Sequence, residues 1–186
     1  MIWFKKMGLN LLLLFLVKPF SYAADIGRFE EKEIDNKWVV SRIEKSTVYA
    51  TVNGKVTHGD KLRIRFVKGK CDMGNLLTTV YTMSNHPNIL QLKNKYIVAN
   101  FMGIKVTALV LFTQPFLAGH ISWIDLNFIP KEVLKRELIK ENPIKIEFLD
   151  SEKITITEYF DITQNSWSNK NLGEAIDKAS KVCKEL

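Results

Sequence analysis

Cysteine is nearly absent from this chain, with two in 186 residues, Cys71 and Cys183. Neither falls in a C-x-x-C pair or a zinc-ligand spacing, which excludes a sequence-local zinc site and a thioredoxin-type redox pair. Histidine is almost as scarce. His58, His86 and His120 are spaced too widely and irregularly to read as a ligand set, even with Asp60 or Asp125 added. No nucleophile elbow, H-E-x-x-H, P-loop, EF-hand loop or Rossmann glycine pattern occurs, so no metal or cofactor is expected. Repeats, low-complexity tracts and Pro/Gly/Ser-rich linkers are missing too, which argues for one domain. Sequons of the N-x-S/T type are also lacking. In an exported chain that favours a bacterial periplasm over a eukaryotic secretory route.

Long apolar runs are missing as well. The longest, Met7 to Val17, is about half the roughly 20 residues that a membrane-crossing helix needs. It follows Lys5-Lys6 and precedes Ser21-Tyr22-Ala23-Ala24, the three parts of a secretory signal. Ser21 and Ala23 are the small residues the peptidase requires, so residues 1–23 are expected to be a cleaved signal and residues 24–186 one secreted or periplasmic domain. No later stretch is long enough to span a membrane.

Loss of Lys5, Lys6 and Lys18 with the leader leaves 24 basic residues against 20 acidic ones, a net charge of +4 over 163 residues. That is mildly basic, and it is not the footprint of a nucleic-acid binder. Glu30, Glu31, Glu33 and Asp35 crowd the start of the mature chain and read as a solvated lead-in. In an exported protein, two cysteines read as one disulfide, here Cys71 to Cys183.

What is present is the grammar of strands. Trp38-Val39-Val40 and Thr47 to Val52 are rich in β-branched and aromatic residues. Asn53-Gly54 is a hairpin signal with Lys55-Val56-Thr57 as its return. Lys61 to Val67 alternates: Leu62, Ile64 and Phe66 on one face, Lys61, Arg63 and Arg65 on the other. Leu76–Met83, Tyr96–Phe101 and Ile104–Phe112 (two strands, or one bent at Gly103), His120–Phe128, Ile144–Leu149 and Lys153–Phe160 complete the expected strands. Thr107 to Phe112 reads as buried on both faces, and Pro115 reads as a stop. On the His120–Phe128 strand, Phe128 shares a side with Ser122, Ile124 and Leu126.

Pro130 opens a short helix at about 130–141. The clearest helix is C-terminal, at about 172–185. Asn171 to Glu174 resembles a capping box, and Leu172, Ala175, Ile176, Ala179, Val182 and Cys183 form an apolar stripe. The expected fold is therefore mostly β (α+β), an antiparallel sandwich or partly open barrel with the last helix docked by the disulfide.

The basic row Lys61, Arg63 and Arg65, followed by Lys68 and Lys70, is the one candidate binding feature, suited to a polyanion such as lipid phosphates or an acidic partner. The same row also serves as the wet face of a sheet. Trp123 and Trp167 are candidate ligand platforms or buried anchors. The expectation is a non-catalytic binding or accessory module of the bacterial envelope, acting on an envelope protein or anionic envelope component. A small hydrolase is the alternative, because carboxylate pairs assemble in space and need no spacing signature.

Overall fold

The computed structural model describes residues 29–30, 37–57 and 59–186. The expected leader, its cleavage point and most of the acidic lead-in lie outside these residues, as does His58. Among the described residues no helix is long and apolar enough to cross a membrane.

Among the described residues ten antiparallel strands form a single sheet. They are β1 (Phe29–Glu30), β2 (Val39–Glu44), β3 (Thr47–Asn53), β4 (Lys61–Val67), β5 (Met73–Met83), β6 (Tyr96–Phe101), β7 (Ile104–Phe116), β8 (Gly119–Pro130), β9 (Ile144–Leu149) and β10 (Gln164–Trp167). Their spatial order is β1-β2-β3-β4-β5-β8-β7-β6-β9-β10. Helix α1 (Lys131–Ile139) follows β8, and α2 (Leu172–Lys184) closes the chain. Of the two architectures the sequence left open, this is the partly open barrel.

The sheet curls, and β10 with the chain after it is tied back to the residues around β2 and β3. Trp38, just before β2, donates its indole N–H to Ser168 O at 2.7 Å, and its backbone N and O both bond the side chain of Asn171. Lys55 N donates to Ser166 O of β10 at 3.3 Å. These bonds satisfy backbone groups that an open edge would leave unpaired.

Alternation fixes the inner face. Leu62, Ile64 and Phe66 of β4 are fully buried, and across the ladder they meet Val52, Ala50 and Val48 of β3. Helix α2 packs against β2, β3 and β4, burying Leu172, Ala175, Ile176, Ala179 and Cys183. Each such Leu or Ile contributes about 1.5–3 kcal/mol by leaving water. Cys71 lies in the turn after β4 and is bonded to Cys183 with Cα atoms 5.6 Å apart. Beside the bond, Ser180 Oγ donates to Cys71 O at 2.8 Å.

Strand β5 outruns β4, whose pairing with it ends at Lys61↔Thr79. Two carboxylates cap the overhang: Asp60 accepts from Tyr81 N at 2.8 Å and Asp161 from Met83 N at 3.1 Å. On the other side of β5, Gly119 lies against Met83 so closely that an added Cβ would sit 2.2 Å from Thr82 O, a backbone atom. Gly119→Ala is therefore expected to cost about 1–3 kcal/mol, the usual range for overpacking, seen as a lower urea midpoint.

Several local expectations are corrected. Asn53-Gly54 does not start a tight hairpin, because β3 pairs with β4 and residues 54–60 form one connection. Gly54 is there for close approach: an added Cβ would lie 2.7 Å from Asp60 Cβ. The Lys153–Phe160 stretch is a bridge, Ser151↔Ile154, followed by the 3-10 turn Ile156–Glu158, and the strand beside β9 is β10. Pro115 does not stop β7, which continues to Phe116. It falls opposite His120, next to the hydrogen-bonded pair flanking the turn, where its missing N–H is not needed. Thr107 to Phe112 is not buried on both faces, since Thr107 and Phe112 are exposed. Asn171 makes no capping bond to α2 because Trp38 takes its side chain.

Candidate functional site

Five strands put side chains in register on the outer face. One row runs Asn53, Lys61, Thr79, Trp123, Phe112 from β3 to β7. The next runs Thr51, Arg63, Leu77, Asp125, Leu109, and a third runs Tyr49, Arg65, Asn75, Phe128. Cations thus line β4, small or short groups line β5, and aromatics line β8 and β7.

Strands β4 and β8 stand about 10 Å apart with β5 between them, since neighbouring strands are about 4.8 Å apart. The Arg63 guanidinium spans that gap and lies 4.4 Å from the centroid of the Trp123 ring. Phe112 stacks against Trp123 with centroids 5.6 Å apart and planes 25° off parallel. Further along, Arg65 and Lys70 each approach the Phe128 ring to 5.9 Å. Beneath this arch, Leu77 and Thr79 are at most 1% exposed although they sit on the outer face. The alternation of β4 is as its sequence dictates, with Lys61, Arg63 and Arg65 opposite the buried Leu62, Ile64 and Phe66. The three cations are half-buried instead of standing in water, because the rings of β8 give the arginines something to lie on.

Phe128 reaches this face through a β-bulge. The register shifts between Asn75↔Phe128 and Leu77↔Asp125, and Asn127 takes φ 89°. The extra residue turns Phe128 outward, away from the side of Ser122 and Ile124 on which simple alternation places it.

The face is rich in donors. Arg63 Nη1 donates to Thr79 Oγ1 at 3.0 Å. Arg65 Nε and the Trp123 indole N–H are buried and make no hydrogen bond. The carboxylate of the strip, Asp125, is occupied: its Oδ1 accepts from Asn75 Nδ2 at 2.8 Å and from Asn127 N at 2.6 Å. Trp167, the other candidate platform, is fully buried and belongs to the core.

The remaining candidates do not converge. His120 and Asp125 alternate to opposite faces of β8, and His86 precedes the 3-10 turn Pro87–Leu92. Among the described residues no three His, Cys, Asp or Glu side chains come together as a metal site. The Cys71 thiol is consumed by the disulfide.

Asp60 is 1% exposed and accepts from Thr57 N, Thr57 Oγ1, Tyr81 N and Asn165 Nδ2. Burial raises its affinity for a proton, and the four donors oppose that shift. It ties the β3–β4 connection to β5 and β10, which is a structural task. A cleft of about 370 Å³ on the outer side of β6, β9 and β10 has Glu141 and Glu147 in its wall, and Gln164 Nε2 donates to Glu147 at 2.9 Å.

No protein-family model, no curated protein and no solved structure matches this chain.

Proposed function

We propose that the protein is a non-catalytic binding module of the bacterial cell envelope, and that the outer face of β4, β5 and β8 takes an anionic group. The observation that carries this reading is Arg63 over the Trp123 ring, itself stacked on Phe112. A guanidinium held over a ring keeps its charge and its fork of N–H donors, the chemistry that suits phosphate or carboxylate oxygens. Among the described residues, donors outnumber acceptors on this face, which supports the same chemistry. A disulfide fits an oxidising compartment, and the signal-like opening of the sequence agrees with export.

The test uses short-chain polyphosphate as the probe and tryptophan emission as the readout. In the chain from Ala24 on, which lacks Trp3, Trp38 and Trp167 are at most 1% exposed, so a change on binding reports Trp123. Arg63→Gln with Arg65→Gln is expected to weaken binding by about tenfold or more, since a hydrogen bond to a charged group contributes roughly 1.5–3 kcal/mol. Binding should also weaken steeply with salt. Unchanged, salt-independent binding in the double variant would sink the reading.

A further inference from the structure

The aromatic strip continues past the cations to an end made of apolar side chains on a strained turn. Beyond Trp123 and Phe112, the outer face carries Tyr81, Ile121 and Phe116, with the Tyr81 and Phe116 rings edge-on at 6.3 Å. Strands β7 and β8 then join through Leu117 and Ala118, flanked by the pair Phe116↔Gly119. Leu117 sits at φ 51° with 74% of its surface exposed. Met83, opposite Gly119 on β5, is 57% exposed.

A single exposed leucine is ordinary on a protein surface. This one occupies a positive-φ position in a two-residue turn, where glycine or asparagine is favoured. A bulky side chain there costs stability in the folded protein and gains no packing in return. Strain of this kind is retained where the side chain has a task outside the fold.

We infer that the β7–β8 tip inserts into an anionic lipid surface, with Leu117, Met83 and Phe116 entering the acyl boundary while Lys61 and Arg63, whose guanidinium reaches the Lys61 row at Trp123, meet the headgroup phosphates. The inference rests on the anion-binding reading of the same face and names its partner. The spacing fits. Thr79, in the Lys61 row, and Met83 are four residues apart on β5, which sets the tip about 13 Å beyond that row along the strands. With the strands tilted, this covers the roughly 5–10 Å to which interfacial elements bury their apolar side. Trp123 and Phe112, in the same row as Lys61, then lie at the headgroup level, where aromatic side chains are enriched. A soluble polyanion gives Leu117 nothing to contact, which is why the tip favours lipid.

The experiment is co-sedimentation with vesicles of phosphatidylglycerol and phosphatidylcholine, set against phosphatidylcholine alone and against polyphosphate in solution. The wild type is expected to bind the anionic vesicles. Leu117→Asp should lower vesicle binding by about tenfold or more, given the apolar area a leucine carries, with polyphosphate binding unchanged. Leu117→Gly relieves the backbone strain, so it should melt higher than the wild type and yet bind vesicles more weakly. A merely structural role for Leu117 would not separate those two readouts. If Leu117→Asp and Leu117→Gly bind anionic vesicles as the wild type does, insertion is wrong while the anion-binding face stands. If the wild type binds polyphosphate and not vesicles, the lipid is wrong and the face again stands. If it binds neither, both readings fall.

Discussion

Replacing Cys71 and Cys183 together by serine is expected to lower the stability of the protein by about 2–5 kcal/mol relative to the oxidised parent. The bond joins residues separated by 112 positions, and a cross-link over so long a loop removes much of the freedom of the unfolded chain. Natural stabilities are roughly 5–15 kcal/mol, so this is a large share. The loss should be local first. Helix α2 ends at Lys184, one residue past the bond, and holds the sheet otherwise through its apolar stripe, the Ser180–Cys71 hydrogen bond and surface pairs such as Lys184–Asp72 at 2.9 Å. Amide exchange in α2 should therefore rise before exchange in β4 and β5 does. Identical melting of the double variant and the oxidised parent would show that the bond carries no stability.

Asp60→Ala is expected to cost about 3 kcal/mol or more, because four donors lose a shared acceptor and a buried unpartnered group costs roughly 1–3 kcal/mol. The lost bonds join Thr57, Tyr81 and Asn165, so the effect is a loosening of the seam between β10 and the rest of the sheet. The pH dependence has a definite sign. Burial holds the folded Asp60 carboxyl above its ordinary value of 3.8, so between 3.8 and the folded value the native state binds more proton than the unfolded chain. Stability from this group is full below 3.8 and falls as pH rises through the folded value. The gap in melting temperature between wild type and Asp60→Ala should accordingly narrow from acid toward neutral pH. A gap that widens over that range would mean the four hydrogen bonds outweigh burial.

Features that depend on neighbours along the chain were legible in residue order. The period-two pattern of Lys61 to Val67 set which side of β4 is buried, and the 3.6-residue stripe of α2 put Cys183 on the side that faces the sheet. Two cysteines and a signal-like opening were enough to pair Cys71 with Cys183. Local rules failed where a distant part of the chain took over. Asn171 was drawn from its expected cap by Trp38, 133 residues away in sequence, and Gly54 serves a close approach to Asp60 instead of a hairpin turn.

The cation–aromatic face could not be read from residue order. Alternation placed Phe128 on the buried side, and one bulge residue, Asn127, reversed it. The cations of β4 were legible as a row, but their aromatic partners lie two strands away on β8. That pairing exists because β5 separates them by about 10 Å with side chains short enough for an arginine to cross. Residue order carries no record of that distance. It follows from β8 returning to β5, past the β6–β7 hairpin, when the sheet assembles.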